Sequence, residues 1–108
     1  MVAKSLGCYA AEWASTRSYP AVWLTPGLTD DFIAETLGRY SADALLVGGS
    51  SDRLWDSGRA ADTGLRRLEI PGADHGLQIH NDWRSSIAVL QQTLSAIEEF
   101  ASELVAES

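Results

Sequence analysis

Two stretches of the chain are apolar without a break, AVWLT from Ala21 to Thr25 and ALLVGG from Ala44 to Gly49. Both are short, and Pro20, Pro26 and Asp43 bound them. A half-buried strand alternates apolar and polar residues, because successive side chains point to opposite faces. A strand with no polar side has to be covered on both faces. That is the condition of a parallel sheet held between layers of helices. A third run, RLEIPG from Arg67 to Gly72, alternates more and stops at Pro71-Gly72, which places it nearer an edge.

The segments between the runs read as helices. Leu6 to about Ser15 carries Leu6, Tyr9, Ala10 and Trp13 three or four residues apart. Asp30 to about Arg39 follows a Thr29 or Asp30 N-cap, with Phe32, Ile33 and Leu37 as its apolar face. A shorter helix is expected from Ser57 to Asp62, stopped near Gly64. The last helix has the clearest period: Ile87, Leu90, Leu94, Ile97, Ala101 and Leu104 form one stripe that is expected to face a core. Glu98, Glu99 and Glu103 lie off it, and the final Ala-Glu-Ser is expected to fray. Helices thus alternate with strands, which implies right-handed crossovers. The expected fold is α/β: three layers, a mostly parallel sheet of three to four strands, helices on both faces. At 108 residues the chain is one domain, 1–108.

Charge and cysteine content narrow the functional classes. The net charge of −7, with eight scattered basic residues, argues against a nucleic-acid surface, because phosphate recognition needs clustered Lys and Arg. A single cysteine, Cys8, permits no internal disulfide and no cysteine-based metal site; a small buried hydrophobe is the expected role. No Asp, Glu or His cluster has metal-ligand spacing, and Asp30 and Asp31 read as a helix start. No apolar stretch approaches a membrane span and no leader is evident, so a cytoplasmic location is expected.

In an open parallel sheet, chemistry gathers at the carboxyl ends of the strands. After Val2-Ala3 the chain reads Lys4-Ser5-Leu6-Gly7; after ALLVGG it reads Ser50-Ser51-Asp52; after RLEIPG it reads Ala73-Asp74-His75. Serine, aspartate and histidine therefore appear in that order at strand ends. An imidazole can take the proton of a serine hydroxyl near neutral pH, and a carboxylate can hold that ring in one tautomer. Alternatives to two of the three are present: Asp56 as the acid and His80 as the base.

AKSLG, LLVGGSSDRLWD and LEIPGADHGL together resemble the carboxyl-terminal half of an α/β-hydrolase, from its nucleophile elbow onward. The resemblance covers most of the chain. It implies Ser5 as nucleophile, Asp52 as acid and His75 as base, with the backbone N–H of Leu6 in the oxyanion hole. Ala3 stands where the family's elbow usually has its first glycine, and Gly7 falls on the second. The implied fold is a truncated α/β-hydrolase, since the strands and the second oxyanion donor that precede the elbow have no counterpart. The implied activity is hydrolysis of a small ester through an acyl-enzyme on Ser5, with no cofactor and no metal. Two other classes stay open: an inactive or partner-dependent fragment, as a homodimer or with a complementing N-terminal half, and a small non-enzymatic binding module. Trp23 and Trp55 are expected to pack, Trp55 alternatively as a pocket wall. Lys4 is expected to be exposed or to shape the entrance.

Overall fold

The structure, a computed structural model, describes residues 1–107. Four strands form one parallel sheet: β1 (Val2–Lys4), β2 (Ala21–Leu24), β3 (Ala44–Gly49) and β4 (Arg66–Ile70), in that spatial order. A 3-10 helix (Ser5–Ala10) runs into α1 (Ala11–Thr16); α2 (Asp31–Gly38) and α3 (Ser57–Asp62) complete the crossovers, and α4 (Trp83–Glu107) follows β4. The fold is therefore α/β with a wholly parallel sheet. No helix among the described residues is long and apolar enough to cross a membrane.

The unbroken apolar runs are explained by two separate cores. Ala21, Trp23, Ala44 and Leu46 point to one face, where Ala11, Ala14, Ile33, Leu37 and Ala60 cover them from α1, α2 and α3. The alternate residues Val22, Leu45 and Val47, with Ile70, point to the other face and meet Val89 and Phe100 of α4. All six residues of β3 are buried. β4 is exposed along much of its length, as its alternation implied. On that edge the Arg66 guanidinium bonds the Glu103 carboxylate of α4, one arm at 2.9 Å.

Caps set the helix starts. Asp30, not Thr29, caps α2: its Oδ1 accepts from the N–H groups of Phe32 (2.8 Å) and Ile33 (3.3 Å). Asp56 does the same for α3, accepting from Arg59 N–H at 3.0 Å. That fixes Asp56 as structural.

Two expected apolar faces are out of phase. The segment after β1 begins as a 3-10 helix with three residues per turn. Its inward row is therefore Cys8, Ala11 and Ala14, while Leu6, Tyr9 and Trp13 are exposed. In α4, only Ile97 and Leu104 of the expected stripe pack on the core. The inward row is Val89, Thr93, Ala96, Ile97, Phe100 and Leu104. Thr93 is tolerated there because its hydroxyl donates to the Val89 carbonyl at 2.9 Å. Ile87, Leu90 and Leu94 instead flank an open apolar groove of about 410 Å³ that also touches Lys4 and Leu24 at the ends of β1 and β2. The helix continues through Glu107, so Ala106 and Glu107 are helical; Ser108 lies outside the described residues.

This assignment has a direct stability test. Phe100→Ala should cost about 3–5 kcal/mol, the loss for a buried aromatic. Leu94→Gln should stay within about 0.5 kcal/mol, because Leu94 is 56% exposed. Urea denaturation of the two variants measures both. A larger loss from Leu94→Gln would restore the other phase.

Candidate functional site

All strands of a parallel sheet end at one rim, so residues far apart in sequence meet there. Ser5 directly follows β1 and has φ of +54°. A non-glycine residue in this left-handed region costs roughly 1–2 kcal/mol. Thr25, which closes β2, shares the conformation with φ of +48°. Two neighbouring strand ends therefore make abrupt turns, and the first lifts the Ser5 side chain to the rim.

Asp52 lies in the turn that follows β3. Its N–H donates to the Gly49 carbonyl at 3.1 Å, and its side chain is 2% exposed. Asp52 Oδ1 accepts from Leu54 N–H at 2.9 Å, which leaves Oδ2 facing the rim. His75 comes from the loop after β4. Several hydrogen bonds hold that loop. Ser51 N–H donates to the Ala73 carbonyl at 2.9 Å. The Asp74 carboxylate accepts from the Gly76 and Gln78 N–H groups. Lys4 Nζ donates to the His75 carbonyl at 3.2 Å. Lys4 thus ties the end of β1 to the histidine loop.

The three side chains form one line. His75 Nδ1 is 2.7 Å from Asp52 Oδ2, and His75 Nε2 is 2.7 Å from Ser5 Oγ. A carboxylate only accepts, so Nδ1 carries the proton in this pair. The lone pair of Nε2 then faces the serine hydroxyl. The arrangement can move a proton from oxygen to nitrogen and stabilise the imidazolium formed. Leu6 is the second residue of the 3-10 helix, so its N–H precedes any helical acceptor. A side chain at Gly7 would meet Ala3 Cβ at 3.4 Å, so these small residues do face each other, at ordinary contact distance.

Residues that sequence left as alternatives lie elsewhere. Asp56 caps α3, and His80 is exposed before α4. Cys8 is buried with Sγ 3.7 Å from the Leu24 carbonyl; burial pushes its thiol up to about 11, so it stays protonated and unreactive. Trp55 is a packing residue. Its ring lies against Gly48, where a Cβ would sit 2.1 Å from it, and its indole N–H donates to Glu69 at 2.5 Å. Among the described residues no group of His, Cys, Asp and Glu could hold a metal ion.

One element of the site escaped sequence reading. A pocket of about 280 Å³ opens on Ser5 and His75, and Tyr9 and Asp30 line it together with Leu6 and Leu54. The Tyr9 hydroxyl donates to Asp30 Oδ2 at 2.7 Å. Its spacing had suggested a core position. No sequence signal marks it, because the 3-10 start that turns Tyr9 outward from Cys8 is visible only in the structure. Compared with models of known protein families and with curated proteins, the chain matches none.

Proposed function

We propose that the chain is a serine hydrolase of the α/β-hydrolase kind that cleaves a small ester through an acyl-enzyme. One observation carries the reading: the unbroken line Ser5–His75–Asp52, two contacts of 2.7 Å, built from three separate strand ends. Its chain order supports kinship with the carboxyl-terminal half of that family.

The steps follow from the groups in place. Ser5 Oγ attacks the ester carbonyl carbon while His75 Nε2 takes the hydroxyl proton. Asp52 holds the imidazolium through Nδ1–H. The carbonyl oxygen becomes an oxyanion that the Leu6 N–H can meet at the helix start. Collapse breaks the bond to the alcohol oxygen, which leaves with the proton from Nε2. A water then attacks the acyl-Ser5 ester, giving its proton to Nε2, and the acid departs as the proton returns to Ser5. No cofactor or metal enters these steps. The pocket of about 280 Å³ beside Ser5 suits a compact substrate. The free thiol of Cys8 fits the cytoplasmic location proposed here.

A second observation favours a partner-dependent form of the same enzyme. β1 pairs with β2 alone among the described strands, and the groove beside Leu90 and Leu94 is open. Self-association or a complementing strand would cover both.

A fluorophosphonate probe tests the reading. Wild-type protein should be labelled on Ser5, Ser5→Ala should not be labelled, and His75→Ala should react at least about 100-fold more slowly. Rates that rise with protein concentration would identify the partner-dependent form. Labelling that survives Ser5→Ala, or none at any concentration, would overturn the assignment.

A further inference from the structure

We propose that the pocket beside Ser5 binds the ammonium end of an amine-bearing ester, gripped by the paired acceptors Asp30 and Tyr9. The catalytic part of this inference rests on the hydrolase reading; the binding part stands on the pocket alone. Leu6, Ile33 and Leu54 give the pocket apolar walls, while Tyr9, Thr29 and Asp30 supply its polar end.

Hydrogen-bond accounting sets the character of that end. Asp30 Oδ1 is taken by two backbone N–H groups of α2. Asp30 Oδ2 accepts the Tyr9 proton and keeps a further lone pair. The only hydroxyl proton of Tyr9 is thereby committed, so its oxygen offers lone pairs alone. The Asp30–Tyr9 pair accepts and does not donate, and its complement is a donor.

Charge selects among donors. The bond from Tyr9 holds the Asp30 carboxyl below the ordinary carboxylate range, so it is ionised at neutral pH. The neighbouring cation, Arg59, is committed elsewhere: its guanidinium bonds Asp31 Oδ1 at 2.8 Å and the Leu28 carbonyl at 2.9 Å. The Tyr9 ring adds a π-face to the same end. The chain's net charge of −7 repels anionic substrates and draws cationic ones. A substrate with a carboxylate at this position would meet Asp30 directly.

Acetate esters of alcohols of similar length separate the terms: 5-aminopentyl, hexyl, 5-hydroxypentyl and 5-carboxypentyl acetate. The wild-type protein should favour the aminopentyl over the hexyl ester by roughly fivefold in kcat/KM, the scale of a half-exposed charge contact. The carboxypentyl ester should be the poorest. Asp30→Asn keeps a good helix cap and removes the charge, so the ratio should fall towards one. Concentrated salt should shrink it in the wild type. In parallel, titration with 5-aminopentan-1-ol should shift the Leu6 and Tyr9 amide signals, and Asp30→Asn should abolish the shifts. Equal rates for amine and hexyl esters, a ratio unchanged by Asp30→Asn, or a hydroxypentyl ester as good as the amine would overturn the proposal. Absent shifts would overturn it too. Shifts without hydrolysis of any ester would sink the hydrolase reading and leave the ammonium site standing; Ser5-dependent hydrolysis blind to the amine would do the reverse.

Discussion

Asp52→Asn should lower the rate of p-nitrophenyl acetate hydrolysis by about 10⁴-fold while leaving the fold intact, and Leu54 explains why. Asp52 Oδ1 accepts from Leu54 N–H, and only Oδ2 reaches His75. An asparagine in this place keeps its oxygen on Leu54, because that N–H needs an acceptor. Its NH₂ group then faces His75 Nδ1 and donates to it. The imidazole proton moves to Nε2, where it points at Ser5 Oγ. A ring that donates to the serine cannot accept its proton, so general-base catalysis stops. Adding Ser5→Ala to Asp52→Asn should cost far less than Ser5→Ala costs the wild type, since the groups act as a unit. Steady-state rates, with a thermal melt to show the fold unchanged, check this. A loss under tenfold would mean that the observed line of side chains is not the working one.

Gly49→Ala should destabilise the protein by about 3 kcal/mol, at the upper end of what overpacking costs. A Cβ at Gly49 would lie 2.1 Å from the Ala73 carbonyl oxygen and 2.7 Å from Ala73 Cβ. The first obstacle is backbone, and a backbone atom cannot rotate away. It is also held, because Ser51 N–H bonds that same carbonyl. Relief requires β3 and the histidine loop to separate, and His75 is two residues from Ala73. The variant should therefore lose the proposed esterase activity along with stability. Gly38→Ala is the control: nothing lies within 4 Å of the new methyl group, and alanine suits the helix end better. Denaturant midpoints of the two variants should move in opposite directions. Equal midpoints would refute the close approach of the strand end to the loop.

Much of the architecture was legible because it rests on composition over short windows. β2 and β3 announce themselves as doubly covered strands, and the Ser57–Asp62 helix falls where Asp56 can cap it. The meeting of Ser5, Asp52 and His75 was legible because a parallel sheet sends every strand end to one rim. Phase was harder to read. The apolar residues of α4 span about half its circumference, so Leu90 and Leu94 look as inward as Val89 and Phe100. Only the position of the sheet decides between them. The 3-10 start after Ser5 was hidden for a related reason: it rotates Tyr9 and Trp13 outward, against a pattern of apolar spacing that fits a regular helix. The Tyr9–Asp30 pair joins residues from different elements, and no local pattern reports it.

β1 has three residues and, among the described strands, hydrogen-bonds to a neighbour on one side only. Such a border strand opens at a smaller free-energy cost than the central β3, which is bonded on both sides. Ser5, the proposed nucleophile, is attached to the element that peels first. If the proposed hydrolase reading holds, warming should silence turnover while most of the globule is still intact, and the temperature at which activity fails should fall below the midpoint of global melting.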